Sequence, residues 1–598
     1  MVIDSFSHKI NHPCVICSKR KVKCDRLLPC SNCVKHGKEA ECLQGSDTKR
    51  FKSNTNELDA SYHLLWQEYE HWIVKVAIMK NKLNNTDVVY DMKAEIEELE
   101  FWMVYLNAEA SFKLLDYSME KLGGLCFGCI SDIGELYLKL EEYWARQEDK
   151  DYTLSVDDYL WGSLIWSVLT MAIYYIPLND LSDILKPKMV CEWYNVHTES
   201  TWTEELQYNL YYGFQKATIL QLKLANFTAF PDIRIIQTFL ILCSTSFVQL
   251  DVFFADSLLT QCLHISKFLQ IDNFRPMVTD STSLRLNKLM AQKLWYRLSI
   301  CDYLQSGPNK KLAIHTENES LITHAAYYEE LPNVDVYSSE PTFETLLWKL
   351  ISLDRDLEKY DLRKPTLKSL DAIIRQLDIF SVKVDSIEDT ESFSSRFEHF
   401  ISRLTLNLTY WKVSKLMYVY YRSSTAYDRM KTYTKIIIAL ILRNIKNHSS
   451  NFNKFPYVSY ALSLLMGYHS IRNVFSNSEG NEQLVIDLNE LMETASLTVQ
   501  PSCAAVLEIS KRIRKLESIW KTVKVIDNDD PLLHPVFKIL QNDIKLVRSQ
   551  FNRIPKIFNY GPTVASENEE DTKEVPEFKA IMKTFEKKYD ILKIVYDF

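Results

Sequence analysis

The sequence predicts an all-α protein that carries a small, cysteine-rich metal-binding domain in front of a large helical body. Glycine contributes only 12 and proline 17 of the 598 residues, whereas turn-rich β folds need many more of both. Apolar residues make up 46% of the chain and recur at helical spacing from residue 58 onward. The third observation is that six of the 13 cysteines fall within residues 14–42.

The charge distribution divides the chain in the same way. Residues 1–52 carry 11 Lys or Arg and 5 Asp or Glu, a net charge of +6, so the rest of the chain carries −14. A polyanion is therefore expected to bind at the N-terminal segment. No apolar secretory signal begins the sequence. An intracellular, reducing compartment is expected, where clustered cysteines more often bind metals than form disulfides.

The cysteine spacing predicts a binuclear zinc cluster. Zinc in structural sites takes four tetrahedral ligands and prefers thiolates. Six thiolates complete two four-ligand sites only when two of the sulfurs are shared, which gives two Zn²⁺ per chain. A segment this short buries no core of its own, so metal binding is expected to drive its folding. The six cysteines are Cys14, Cys17, Cys24, Cys30, Cys33 and Cys42.

A run of cations between the second and fourth cysteines predicts contact with double-stranded DNA. Basic side chains neutralise phosphates, and a Lys or Arg also reaches the O6 and N7 atoms of guanine in the major groove. The candidate residues for DNA binding are Lys19, Arg20, Lys21, Lys23 and Arg26.

The segment resembles the fungal Zn(II)2Cys6 binuclear cluster family, because all six cysteine positions are filled and Pro29 precedes the fourth cysteine. The resemblance implies that Cys14 and Cys30 bridge the two metals. It further implies that one site is completed by Cys17 and Cys24, and the other by Cys33 and Cys42.

The same resemblance implies how the cluster binds DNA. In the family, the helix after the first cysteine pair enters the major groove at CGG or CCG triplets. By position, Lys21 is expected to contact a base with Arg20 beside it, and Lys23 and Arg26 to contact phosphates. Ser18 departs from the Arg that often follows the second cysteine, so one phosphate contact is expected to be missing.

Composition and periodicity predict five segments along the chain. Because residues 566–577 carry a net charge of −5, they are interpreted as a disordered surface insert or, alternatively, as an interaction segment. The segments are the cluster at 12–44, a linker at 45–57, the helical body at 58–560, the acidic insert at 561–577 and a C-terminal helix at 578–598.

Candidate helices follow from apolar periodicity and from breaks rich in Asn, Asp, Ser, Gly or Pro. The longest uncharged run, residues 159–178, is long enough to span a membrane. Its acidic flanks and its Gly, Ser, Thr and Tyr content instead predict a buried core helix, and a soluble chain with no membrane partner. The candidate helices include 88–121, 132–147, 157–175, 203–226, 283–305, 395–422, 428–447, 502–526 and 535–554.

Residues 58–83 carry a heptad seam that begins at Leu58 and ends at Leu83. Nearly four heptads is the lower limit for a coiled coil. Against a zipper, three of the eight seam residues are Tyr or Trp, and further apolar residues widen the face. Both alternatives remain open: a helix packed on the body, and a dimer zipper.

No motif supports catalysis, so the chain is predicted not to be an enzyme. The sequence contains no phosphate-binding Gly-rich loop, no G-x-S-x-G elbow, no HExxH and no paired-carboxylate signature. The pair Cys126 and Cys129 lies between apolar neighbours and is interpreted as part of the core.

Longer segments of the body are similar to the zinc-cluster components, known as B subunits, of budding-yeast centromere-binding factor three complexes of the inner kinetochore. The segments keep chain order and include FWMVYL at 101–106, CDYLQSGP at 301–308 and HPVFKILQNDIK at 534–545. This resemblance implies a helical body like the middle region of fungal transcription factors. It also implies a homodimer that binds centromeric DNA.

The implied partners are an F-box protein with its Skp-type adaptor and a large DNA-binding scaffold subunit, and the implied location is the nucleus, at the kinetochore on the centromere. The alternative that the cluster alone leaves open is a zinc-cluster regulator of RNA polymerase II genes.

Overall fold

The computed structural model describes residues 14–37, 92–195, 201–305 and 343–514, apart from short gaps inside these ranges. The chain divides into two compact units, residues 1–59 and 60–598. Helices dominate the described part of both, which confirms the predicted all-α class.

In the described part of the first unit, residues 14–37, two short helices repeat one backbone pattern. Each begins directly after a cysteine, and each is followed by a residue with left-handed backbone, Lys21 at φ 53° and Gly37 at φ 64°. A positive φ in a lysine is uncommon, because a Cβ atom crowds the backbone there. The helices are α1 (Val15–Arg20) and α2 (Ser31–Lys35).

The N-terminal half of the second unit is a compact group of helices built around one central helix, α7. Its members are α3 (Met92–Leu106), α4 (Ala108–Lys121), α5 (Gly123–Cys126), α6 (Ile133–Glu148), α7 (Val156–Tyr175), α8 (Leu178–Ile184), α9 (Lys188–Trp193), α10 (Glu204–Leu224), α11 (Ile233–Cys243), α12 (Phe247–Leu250), α13 (Val252–Phe268) and α14 (Thr282–Gln305).

The C-terminal half continues with longer helices, in which α17 is central and packs against α15, α16 and α18. The described helices of this half are α15 (Phe343–Glu358), α16 (Leu367–Asp385), α17 (Phe393–Tyr421), α18 (Ser424–Asn447), α19 (Pro456–Phe475) and α20 (Asn481–Thr494).

Beyond its first turn, helix α7 is buried on all sides and is enclosed by α4, α6, α10 and α11. From Leu160 to Tyr175 every residue except Trp161 is buried, which confirms the predicted core helix. A capping box between Ser155 and Asp158 satisfies the first backbone N–H groups of the helix. Across the described residues, no helix is both long and apolar enough to cross a membrane.

Polar groups inside this core are paired with one another. The Thr170 Oγ1 lies 3.1 Å from the Thr218 Oγ1, which links α7 to α10. The Gln207 side-chain amide donates to the carbonyls of Ile173 and Ile176, at 2.8 and 2.6 Å, and so satisfies acceptors at the C-terminal end of α7. These bonds offset the cost of burying polar atoms and fix how the helices align.

The core of the C-terminal half holds an ion pair. The Lys412 Nζ on α17 lies 2.6 Å from the Asp354 Oδ2 on α15, and both side chains are almost entirely buried. The Tyr303 hydroxyl donates to the same carboxylate oxygen at 2.8 Å, and the Tyr460 hydroxyl lies 3.1 Å from the Lys412 Nζ. Four helices therefore meet at one buried charge pair.

One predicted helix is wrong in its extent. The sequence predicts a continuous helix over 88–121, but the structure breaks it at Asn107, which has a φ of 49°. The Asn107 side chain accepts a hydrogen bond from the Ala110 N–H at 3.0 Å and caps a new helix. Asparagine tolerates a positive φ and serves well as an N-cap. Asn107 therefore begins a new helix, although the apolar periodicity of the sequence continues through it.

Several other predicted elements lie mostly on residues that the structure does not describe. These are the 45–57 linker, the 58–83 seam, the helices after residue 514, the 561–577 insert and the 578–598 helix.

The start of helix α18 also differs from the prediction. The helix begins at Ser424, four residues before its predicted start at 428.

Candidate metal centre and nucleic-acid interface

Four cysteine thiols meet between α1 and α2. The Cys14 Sγ lies 3.7 Å from the Cys30 Sγ and 3.6 Å from the Cys33 Sγ, and the Cys17 Sγ lies 3.5 Å from the Cys30 Sγ. All four are buried, and their sulfurs lie within 4.8 Å of one another. The two Cys-x2-Cys pairs, far apart in sequence, therefore form one thiol cluster.

The spacing of these sulfurs fits zinc. With a Zn–S bond of about 2.3 Å, two ligands of a regular tetrahedron lie about 3.8 Å apart. The contacts of 3.5 to 3.7 Å are close to this value. A soft thiolate set with tetrahedral spacing is typical of structural zinc sites.

Cys14 and Cys30 contact each other across the two cysteine pairs, and each also lies under 4 Å from the second cysteine of the opposite pair. The Cys24 Sγ groups with the Cys30 Sγ and a carboxylate oxygen of Asp25. The backbone N–H groups of Cys14 and Arg26 point at the Cys24 Sγ, at 3.5 and 3.4 Å. Five of the six predicted ligands are thus brought together, and Cys42 lies outside the described residues.

Backbone N–H groups favour the thiolate form of Cys14 and Cys30. Burial raises the pKa of the Cys14 thiol, but the Cys17 N–H at 3.4 Å and the neighbouring thiols lower it, so the pKa lies below its ordinary value. Burial acts in the same way on Cys30, and the Cys33 N–H at 3.4 Å helps to bring its pKa below the ordinary value. Because metals bind thiolates, these N–H groups favour cation binding at Cys14 and Cys30.

Two residues that support the cysteine cluster were not predicted from the sequence. The Asp25 carboxylate accepts hydrogen bonds from the Leu27 N–H at 3.2 Å and from the Ser31 N–H at 2.9 Å, as well as from the Ser31 hydroxyl. The Asn32 side-chain amide donates to the Cys17 Sγ at 3.5 Å. The signal for both was their position next to a ligand cysteine, where side chains that orient ligands are common.

The predicted DNA-binding cations lie on and just after α1. Lys19 and Arg20 are its last two residues, and Lys21 follows in the left-handed region. The side chains of Arg20, Lys21, Lys23 and Arg26 are exposed. The thiol cluster therefore holds a short cationic segment whose charged groups face solvent, which suits contact with a polyanion.

Comparison with known proteins gives two family matches. Residues 12–50 match the fungal Zn(2)-Cys(6) binuclear cluster domain. Residues 101–595 match the family of the B subunit of the centromere DNA-binding protein complex CBF3.

Individual relatives agree with both matches. The chain is 40% identical over 603 residues to the B subunit of the centromere DNA-binding protein complex CBF3 of Saccharomyces cerevisiae, covering 98% of each chain. A chain in the solved structure of the K. lactis CBF3 core is similar with a TM-score of 0.65 and 27% identity, over 83% of this chain and 97% of that one. The oleate activated transcription factor 3 of Vanderwaltozyma polyspora is 54% identical over only 41 residues, 7% of this chain and 5% of that protein.

Proposed function

The chain belongs to the family of the B subunit of the centromere DNA-binding protein complex CBF3, and on this premise we propose that it binds centromeric double-stranded DNA sequence-specifically through its N-terminal cluster. The observation that carries the proposal is the convergence of buried thiols beneath an exposed cationic segment. The family is one of DNA-binding subunits and not of enzymes.

The six cysteines would together hold two Zn²⁺. Cys14 and Cys30 would be the ligands shared by both sites, which their contacts across the two cysteine pairs support. Cys17 and Cys24 would complete one site, and Cys33 and Cys42 the other. Zinc bound there would cross-link α1 and α2 and offset the charge of the thiolates. The chain itself supplies the ligands, the N–H groups that orient them, and the cations that meet DNA.

The cations of this segment contact different parts of the DNA. Lys21, directly past the end of α1, contacts a guanine edge in a CCG or CGG triplet, with Arg20 beside it. Lys23 and Arg26 contact phosphates and set the register of α1 in the major groove, and Lys19 is a further candidate for DNA contact.

Replacing Lys21 with alanine is expected to weaken binding to a CCG duplex by about 1–3 kcal/mol and to relax the triplet preference. Lys23→Ala serves as the matched control, because it removes the same charge two residues away and is expected to weaken binding to all sequences alike. Fluorescence anisotropy of the full-length, zinc-loaded protein on CCG and scrambled duplexes measures both effects. Equal losses on both duplexes for Lys21→Ala assign Lys21 to a phosphate and contradict the base contact.

We further propose that two copies of the chain form a homodimer that brings two clusters to one duplex. The helical body then recruits an F-box protein with its Skp-type adaptor and a large DNA-binding scaffold subunit, at the kinetochore in the nucleus. The extent of the similarity supports this, since 97% of a chain from the K. lactis CBF3 core is covered.

The function is tested against the regulator alternative by chromatin immunoprecipitation of the tagged, full-length protein. Enrichment at centromeres is expected, because similarity to the CBF3 protein of S. cerevisiae covers 98% of the chain, whereas similarity to the transcription factor covers only 41 residues. Enrichment at promoters with none at centromeres would overturn the proposal.

A further inference from the structure

Helix α18 presents a basic face to solvent. One side of the helix packs against α17 and α20, where Met430, Thr434, Ile437 and Ile441 are buried. The opposite side, by the helical period, is exposed. Its exposed cations are Arg429, Lys435, Arg443 and Lys446.

The charge on this face contrasts with the rest of the body. Helix α18 carries five Lys or Arg and one Asp, a net charge of +4, in a chain whose residues after 52 carry −14. The single acid, Asp428, lies 2.9 Å from the Lys431 Nζ and is thereby neutralised. Among the described residues, no carboxylate forms an ion pair with Arg429, Lys435 or Lys446. The face is therefore a local positive region on an acidic body.

The length of the face suits a nucleic-acid duplex. At a rise of 1.5 Å per residue, the cations from Arg429 to Lys446 extend over about 26 Å. B-DNA carries one negative charge per about 1.7 Å of its axis, so a duplex beside the helix offers several phosphates over that length. The cations lie on a rigid helix that is anchored in the core, which keeps their spacing fixed.

We propose that the basic face of α18 binds the phosphate backbone of the DNA that flanks the cluster's recognition site. The inference rests on the proposed DNA binding and adds a second contact, on the body of the protein. An acidic peptide is the weaker candidate, because most peptide-binding surfaces add a groove or apolar pockets to charged contacts, whereas the phosphates of a duplex need only cations spaced along a line. The exposed large apolar residue on this face is Ile436, at 40% exposure.

Phosphate contacts carry no sequence information, and this separates the α18 face from the cluster. Losing the face is expected to weaken binding to every duplex and to leave the preference for the triplet unchanged. Losing a base contact in the cluster changes the preference itself.

The test uses the full-length, zinc-loaded triple variant Arg429→Gln, Lys435→Gln, Lys446→Gln, whose three sites are all exposed. Binding to a fluorescent CCG duplex with long flanks is measured over a range of salt concentrations. The slope of log K against log salt is expected to become shallower by about 2.7, at about 0.9 for each lost phosphate contact. The ratio of affinities for CCG and scrambled duplexes is expected to stay unchanged.

The matched control is the triple variant Lys93→Gln, Lys113→Gln, Lys188→Gln. It removes the same net charge from exposed positions on α3, α4 and α9, where each lysine is paired with a glutamate of its own helix. Its salt slope is expected to equal that of the wild type.

Equal slopes for the two triple variants would overturn the inference and leave binding by the cluster standing. Failure of the wild type to bind any duplex would overturn both proposals. A third outcome would assign the α18 face to the acidic tract of this chain. In that case the α18 variant binds DNA as the wild type does, and a labelled peptide of residues 566–577 binds the variant more weakly than the wild type. That result also contradicts the DNA assignment.

Discussion

Cys30→Ser is expected to remove zinc from the cluster, unfold the segment around residues 14–37 and abolish sequence-specific DNA binding. The Cys30 Sγ lies within 3.7 Å of both the Cys14 and Cys17 sulfurs, so its loss damages both proposed metal sites. Structural zinc contributes about 10–16 kcal/mol to the folding of small zinc domains. The few helical turns described between residues 14 and 37 bury too little apolar surface to replace this contribution.

Serine is an informative replacement because it preserves the second role of Cys30. The Cys30 side chain also caps α2 by accepting the Cys33 N–H, and a serine hydroxyl is a good N-cap. A loss of zinc therefore reports on ligation and not on capping. The zinc content of the Cys30→Ser protein, measured by elemental analysis, is expected to fall below two per chain. The control variant Cys301→Ser, which changes a cysteine of the body, is expected to retain both zinc ions. Two zinc in the Cys30→Ser protein would refute the bridging assignment.

Asp354→Ala is expected to lower the free energy of unfolding of the body by about 3–5 kcal/mol. The substitution leaves the Lys412 ammonium buried without its carboxylate, and an uncompensated buried charge costs this much. It also removes the acceptor of the Tyr303 hydroxyl. Urea unfolding followed by circular dichroism in the far ultraviolet measures the loss.

The double variant Asp354→Leu, Lys412→Met separates the charge effect from a packing effect. A buried ion pair replaced by apolar side chains of similar size is often neutral. In this pair the Asp354 Oδ1 has no hydrogen-bond partner among the described residues, so its desolvation is only partly compensated. Most of the lost stability is expected to return in the double variant. A single variant within about 1 kcal/mol of the wild type would contradict the assigned role.

The sequence predicted the cluster well because its chemistry is local. Cysteine spacing indicates a thiol cluster directly, and the fold only has to bring two short pairs together. Helix α7 was predictable for a similar reason, since a long run without charges has few alternatives to a core position. The break at Asn107 was missed because capping by one side chain outweighs an uninterrupted apolar period.

Long-range pairing lies beyond this kind of prediction. Asp354 and Lys412 are 58 residues apart, and each alone has the pattern of an ordinary surface charge on an amphipathic helix. The basic face of α18 was hidden for a related reason. The cations are visible in the sequence, but which side of the helix meets solvent depends on where α17 and α20 pack.

The enclosure of α7 constrains how the chain is made on the ribosome. Synthesis proceeds from the N-terminus, so α4 and α6 emerge before α7, whereas α10 and α11 follow it. At about 5–20 residues per second, the end of α11 at Cys243 is made roughly 3–14 s after Tyr175. The nascent protein therefore displays for seconds a half-covered helix that has no charged residue after Asp158, an expected binding site for chaperones. The hydrogen bond from the Gln500 side-chain amide to the Tyr174 hydroxyl, at 2.9 Å, forms only after residue 500 has been made.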